Sequence, residues 1–220
     1  MPRHASNTNL HLYHDDTFEG WPIMYDKGPF IEQYLRRCKC TIELALEHYS
    51  RVFAFRVDLR LPLRLDLPEQ VYTNVVIREF LESFKAKIEY DRQRARTRNR
   101  YAHDSKVRYV WAREVGRGER PHYHLVILLN GDAYFTLGKK TSCEQNIFHR
   151  LQEAWAQALG LRKEGVSGLV EIPPAAEYRL TRRLADKRAL ADLFYRASYL
   201  CKAATKTYGD GQHGFGNSRY

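Results

Sequence analysis

An α+β fold, with a small antiparallel sheet flanked by helices, is predicted by three observations. Residues 51 to 61, RVFAFRVDLRL, alternate strictly between one apolar and one polar face. Two further strand-like runs, 106 to 115 and 122 to 130, are separated by a short Gly-containing turn, as a hairpin requires. Before, between and after these runs lie segments whose apolar residues recur at helical spacing.

Taken in order, residues 1 to 27 read as a flexible arm: polar, rich in His and Asp, and without sustained periodicity. The domain proper is expected over 28 to 205. From Pro29 to about Tyr49, Ile31, Tyr34, Leu35, Cys38, Ile42 and Leu46 fall near one helical stripe. In the strand that follows, Phe53, Phe55, Val57, Leu59 and Leu61 face one way, and Ala54, Arg56, Asp58 and Arg60 the other. A long helix is expected from Pro68 to about Arg94, with Val71, Val75, Phe80, Leu81 and Phe84 on its apolar side. KVRYVWAREV (106 to 115), a turn with Gly116 and Gly118, and HYHLVILLN (122 to 130) then form the hairpin. Thr141 to Leu159 reads as an amphipathic helix, opened by a capping box between Thr141 and Glu144. GLVEI (168 to 172) is a short fourth strand, and a last helix runs from about Asp186 to Thr205. Residues 206 to 220 are a Gly-rich tail. The order helix, β, α, β, β, α, β, α predicts a ferredoxin-like or RRM-like domain.

Composition narrows the function classes. At 220 residues, 44% hydrophobic and 13% aromatic, the chain is long and apolar enough for one good core. Its longest apolar runs, such as LVILL (125 to 129), are too short for a membrane span, and the N-terminus has no secretory core. A cytosolic protein is expected. Cys38, Cys40, Cys143 and Cys201 form no CxxC pair, which fits free thiols in a reducing compartment. The net charge of +10 favours a polyanionic partner, nucleic acid foremost. The excess is clustered, in KAKIEYDRQRARTRNR (85 to 100) and RLTRRLADKR (179 to 188). Arg56, Arg92, Arg94, Arg96, Arg98, Arg100, Arg182 and Arg183 are therefore candidate DNA-backbone contacts, although a solvated face explains the 92–100 run equally well. For Arg56 and Asp58, an ion pair at the sheet surface is the simpler expectation.

The chemistry-bearing residues lie in two places. His122 and His124 flank Tyr123 at a strand start, so both imidazoles project from one face. Alone, such a pair is more often structural than a ligand set. Glu114 on the preceding strand changes the balance, because hairpin pairing can bring its carboxylate to the same face. Mixed oxygen and nitrogen ligands suit Mg²⁺ or Mn²⁺, and no fourth ligand suggests a closed zinc site. The second place is YRASYLCK (195 to 202), where Tyr195, Tyr199 and Lys202 share one helical face. Two tyrosines at this spacing are commonly packing. Here the stripe Leu190, Leu193, Phe194, Ala197 and Leu200 already supplies the packing, and a Lys beside a Tyr suits phosphoryl chemistry.

HYH in the setting ARE-x₇-HYH resembles the His-hydrophobic-His motif of HUH endonucleases: rolling-circle initiators, relaxases and related transposases. YRASYLCK resembles the YxxxYxxK nucleophile motif of two-tyrosine phage replication initiators. RVFAFRVDLRLP, ERPHYHLVILLNGDAYF and FGNSR together look like the filamentous-phage gene II type, also called the YagK/YfjJ-like group, over roughly residues 30 to 217. The resemblance implies an HUH endonuclease fold and a site-specific nick in single-stranded DNA or an origin hairpin. In it Tyr199 is the first-choice nucleophile, Tyr195 is the second tyrosine or a support for the first, with the order of cutting open, and Lys202 stabilises charge. Glu114, His122 and His124 would hold the divalent metal. The chain ends soon after the motif, so full replication would need a host helicase. A transposase or relaxase-like mobilisation protein shares the same chemistry, and a non-catalytic single-strand-binding module is the alternative from another class.

Overall fold

Strand patterning, caps and tight turns divide the chain into eleven strands and four α-helices among the residues that the computed structural model describes, 2–115, 120–182 and 187–219. In chain order these are β1 (Arg3–His4), β2 (Asn7–Tyr13), β3 (Thr17–Phe18), β4 (Trp21–Pro22), β5 (Phe30–Ile31), α1 (Glu32–His48), β6 (Arg51–Leu59) and α2 (Asn74–Arg98). There follow β7 (Arg108–Val115), β8 (Pro121–Asn130), α3 (Ile147–Leu159), β9 (Val170–Glu171), β10 (Glu177–Thr181), α4 (Lys187–Ser198) and β11 (Phe215–Asn217). The protein is mixed α+β. The turn predicted around Gly116 and Gly118, and Arg183, lie outside the described residues.

The central sheet has the order β10-β6-β8-β7-β11, with β9 also pairing β6. Every pairing in it is antiparallel. Strands β6 and β7 therefore run in the same direction with β8 between them, and α2 makes the crossover. Period-two alternation then sorts the side chains into two cores. Phe53, Phe55, Val57, Leu59, Trp111, Tyr123, Leu125 and Ile127 pack under α2 and α3. Val52, Ala54, Val110, Ala112, Val126 and Leu128 pack under α1, α4 and the N-terminal strands. Helices thus cover both faces of the sheet.

Trp155 shows how tightly the first core is held. Its ring is fully buried, meets Phe80 edge-on at 5.9 Å, and donates its indole N–H to the Arg60 carbonyl at 2.9 Å. Trp155→Ala leaves a cavity and an unpaired carbonyl, and is expected to cost about 3–5 kcal/mol. Urea denaturation by linear extrapolation measures this; a loss within the error of the extrapolation would contradict it.

Several boundaries differ from the sequence expectation for local reasons. Helix α2 starts at Asn74 because residues 69–72 form a 3₁₀ turn and the Thr73 hydroxyl caps Val75 N–H at 3.2 Å. Helix α3 is capped by Asn146, whose side chain accepts from His149 N–H at 2.9 Å, so the capping box predicted at Thr141 and Glu144 is not used. The arm predicted over 1 to 27 is instead part of the fold. Strand β2 pairs with β1 and β5, and Phe18, Ile23 and Met24 are buried in the second core. The Gly-rich tail is also structural, since β11 extends the sheet beside β7. Gly216 passes so close to Trp111 that a Cβ there would lie 2.5 Å from the indole. Among the described residues, no helix is long and apolar enough to cross a membrane.

Candidate functional site

Register alone assembles the first half of the site. Glu114 on β7 stands opposite His122 on β8, and Asp58 on β6 stands opposite His124. All four side chains share the sheet face that carries the second core, because each lies an even number of residues from its apolar members. The Glu114 Oε2 atom is 3.7 Å from His122 Nε2 and 3.4 Å from His124 Nε2. One ligand atom from each of these three residues lies within 4.8 Å of the others, a group that could hold a metal ion. Buried His124 Nε2 and Glu114 Oε1 have no hydrogen-bond partner, which a cation among them would supply. The donor set of one carboxylate and two imidazoles fits Mn²⁺ better than Mg²⁺ and does not identify the ion.

Asp58 fixes the orientation of His124. Its Oδ1 accepts from His124 Nδ1 at 2.8 Å, which leaves Nε2 with its lone pair toward the cluster. Arg56 holds Asp58 in turn, donating from Nε at 3.1 Å and from Nη2 at 3.3 Å. Nη2 also stands 3.1 Å from His124 Nδ1. Two donors cannot bond each other, so the Nδ1 proton and the guanidinium share Asp58. Burial opposes charge on His124, but Asp58 and Glu114 outweigh it and raise its pKa. Burial likewise opposes charge on Glu114, but His122, His124 and Lys206 hold its carboxyl far below the usual range. Asp58→Ala removes the acceptor that fixes the His124 tautomer. It is expected to weaken Mn²⁺ binding by roughly 10–100-fold, read by calorimetric titration; unchanged affinity would deny Asp58 this role.

The second half comes from the end of α4, where the predicted continuous helix to Thr205 breaks. Ser198 Oγ donates to the Tyr195 carbonyl at 2.7 Å and accepts from Met24 N–H at 2.9 Å. Residues 199–201 tighten into a 3₁₀ turn, and Lys202 leaves it extended to bridge Phe30. Residues three apart eclipse in a 3₁₀ turn, so the Lys202 ammonium lies over the Tyr199 ring, 3.7 Å from its centroid. Arg56 approaches the same ring at 4.8 Å, and the His124 ring meets it edge-on at 5.5 Å. Tyr199 is thereby brought to the cluster. Tyr195 is 41% exposed and has no described contact with Glu114, His122 or His124. The single helical face expected for Tyr195, Tyr199 and Lys202 is interrupted: Tyr195 lies in α4, Tyr199 in the 3₁₀ turn and Lys202 just beyond it.

Lys202 reaches Glu114 Oε2 at 3.2 Å, and Lys206 reaches Oε1 at 3.7 Å. Lys206 was hidden by its place in the Gly-rich tail. Its ammonium is completely covered, and burial pulls its pKa down to about 8 against the attraction of Glu114. The one sequence signal was a second Lys four positions after Lys202. Asp58 was legible as the ion-pair partner of Arg56 on the polar face of its strand, and that pair forms, buried beside His124.

Among the described residues, the expected DNA-contacting arginines other than Arg56 lie apart from this site. Arg56 forms the ion pair with Asp58 that the sequence predicts, although the pair is buried and not at the sheet surface. Arg92 pairs with Asp91 at 2.5 Å and lies over Tyr134, and Arg96 pairs with Asp104 at 2.9 Å. Arg94 lies 5.9 Å from the Tyr90 ring centroid, Arg100 stacks on Tyr101, and Arg98 is exposed. These five belong to the C-terminal half of α2 and its exit, and α2 packs on the opposite face of the sheet from Glu114. Arg182 donates to the Leu46 and Glu47 carbonyls, and so caps the C-terminal end of α1.

Residues 13–218 match the model of the YagK/YfjJ C-terminal domain. The chain is 31% identical over 207 residues to the uncharacterized protein YfjJ of Escherichia coli (strain K12), covering 90% of this chain and 100% of that protein. It is 30% identical over 198 residues to the uncharacterized protein YagK of the same strain, covering 87% and 95% respectively. No solved structure matches. The matched span takes in β3 to β11, hence every residue of the site, and the chain belongs to the YagK/YfjJ C-terminal domain family.

Proposed function

We propose that this protein is a metal-dependent nicking and joining enzyme for single-stranded DNA, of the HUH type, that initiates rolling-circle replication through a 5′-phosphotyrosine intermediate. The observation that carries the proposal is the place of Tyr199. Its ring stands 5.5 Å from the His124 ring, with Arg56 and Lys202 close to it. A phenol beside a carboxylate–imidazole cluster and two cations is what attack on a phosphodiester needs. The sheet order β10-β6-β8-β7, with α2 and α3 on one face, supports a ferredoxin-like arrangement of that type.

In this mechanism the Tyr199 oxygen forms a bond to phosphorus and the bond from phosphorus to the 3′-oxygen breaks. The phenolic proton passes to solvent, and the departing 3′-oxygen takes up a proton. The strand end left on the enzyme is a 5′-phosphotyrosine. Attack by a 3′-hydroxyl on that link reverses the steps and joins a strand. Glu114, His122 and His124 would hold a divalent ion, which supplies polarisation and alignment of the scissile phosphate when bound. Arg56 and Lys202 offset the negative charge near the reacting phosphate. Asp58 keeps His124 in the tautomer that presents Nε2.

The test is incubation with single-stranded oligonucleotides and Mn²⁺, followed by a denaturing gel. A covalent protein–DNA adduct that chelator suppresses is the expected result. DNA binding without an adduct over a range of origin-like sequences would favour a non-catalytic binding module. Adducts on transposon-end or transfer-origin sequences alone would assign the same chemistry to transposition or mobilisation.

A further inference from the structure

A cavity of about 360 Å³ is lined by Tyr13, His14, Tyr25, Asp26, Gly28, Pro29 and Phe30. Its walls come from the N-terminal segment, and that segment is fastened to the nucleophile turn. Met24 N–H donates to Ser198 Oγ at 2.9 Å, Ala203 N–H donates to the Pro29 carbonyl at 2.8 Å, and Phe30 bridges Lys202. Lys27, at the rim, pairs with Asp26 at 2.9 Å. Asp26, its hydrogen-bonded partner, raises the pKa of the Lys27 ammonium.

Tyr25 is 63% exposed and lines the cavity together with the rings of Tyr13 and His14. Isolated exposed tyrosines are ordinary; one that walls a cavity joined to a nucleophile turn suits an uncharged, flat ligand. Asp26 brings a carboxylate to the cavity, paired on one side with Lys27, while Lys202 over the Tyr199 ring offers a phosphate a positive charge. The charge pattern therefore divides a nucleotide, with base inside and phosphate toward the tyrosines. An ionised carboxylate only accepts hydrogen bonds, so it favours a base that presents an amino group, such as cytosine N4. Thymine, whose single ring N–H is flanked by two carbonyl oxygens, fits Asp26 less well.

Resting on the nicking reading above, we infer that this cavity holds one unpaired nucleobase of the single strand, adjacent to the phosphate presented to Tyr199, and that Tyr25 stacks on it and Asp26 reads its amino edge. The N-terminal segment is then a specificity element of the site.

Photocrosslinking with short single strands carrying 5-iododeoxycytidine, followed by peptide mapping, tests the placement. Crosslinks to Tyr13, His14 or Tyr25 are expected. Binding of oligodeoxycytidylate and oligodeoxythymidylate, followed by fluorescence anisotropy at moderate salt, tests the roles. Tyr25→Ala should weaken binding of the cytidylate strand about ten-fold, the scale of one base–aromatic stack, and Tyr25→Phe should preserve it. Asp26→Asn should narrow the preference for cytidylate over thymidylate. Crosslinks confined to other surfaces, together with unchanged binding by Tyr25→Ala, would overturn the inference while an adduct at Tyr199 kept the nicking reading intact. If the wild-type protein neither bound these strands nor formed an adduct with any single strand, both readings would fall together.

Discussion

Tyr199→Phe is expected to abolish the covalent adduct with single-stranded DNA, with a loss on the order of 10⁶-fold, the scale reached when an enzyme's covalent nucleophile is deleted. The substitution removes one oxygen and keeps the ring. The contacts described for that ring are with its aromatic system: Lys202 at 3.7 Å, Arg56 at 4.8 Å and His124 at 5.5 Å. Phenylalanine retains all of them in kind, so the variant should fold and melt close to wild type. Loss of adduct with an unchanged melting temperature therefore isolates the chemistry. Tyr195→Phe is the companion variant. Tyr195 is 41% exposed and apart from the metal-ligand cluster, so its replacement should leave the first adduct within a few-fold of wild type. An adduct that survives in Tyr199→Phe and disappears in Tyr195→Phe would reverse the order of the two tyrosines.

Glu114→Ala should produce two large effects that separate experimentally. The carboxylate is the group against which both imidazoles, Lys202 and Lys206 are arranged. Its removal leaves the covered Lys206 ammonium without a counter-charge, and breaking a buried pair from one side costs about 3–5 kcal/mol. Calorimetric melting reads that loss. The same variant should lose measurable Mn²⁺ binding, because a lone pair of histidines is a weak site. His122→Ala distinguishes the causes. The His122 side chain is 30% exposed, so its removal should disturb stability little while still removing a ligand. Mn²⁺ binding and adduct formation retained in a Glu114→Ala/His122→Ala double variant would end the metal assignment.

Much of this was legible in the chain. Strict alternation in 51 to 61 sets which residues face each core, since a strand cannot change face without a bulge. The hairpin of β7 and β8 follows from two apolar runs and a short turn, and it brings Glu114 opposite His122. Local patterning failed where tertiary contacts override it. Residues 2 to 27 have no sustained periodicity because their strands are short or half-exposed, and the side chains they bury, Phe18 on β3 and Ile23 and Met24 just after β4, are few. The tail looked like a linker because its glycines allow close approach to Trp111 and Lys206, a use that composition alone does not distinguish from flexibility. Basic clustering was plain in the sequence, yet the arginines of α2 project from the opposite face of the sheet to the site.

By itself the sequence determined the α+β class, the strand faces, the grouping of Glu114, His122 and His124, and the family. These depend on period-two geometry and near-neighbour pairing, which are local. Only the tertiary structure decided that α4 ends at Ser198, that Tyr199 and not Tyr195 meets the cluster, and that Asp58 and Lys206 complete it. Those outcomes depend on Met24 and Phe30 docking against residues some 170 positions away, such as Ser198 at a separation of 174. No periodicity records such a contact, because its cause is the packing of one segment on another and not the order of residues within either.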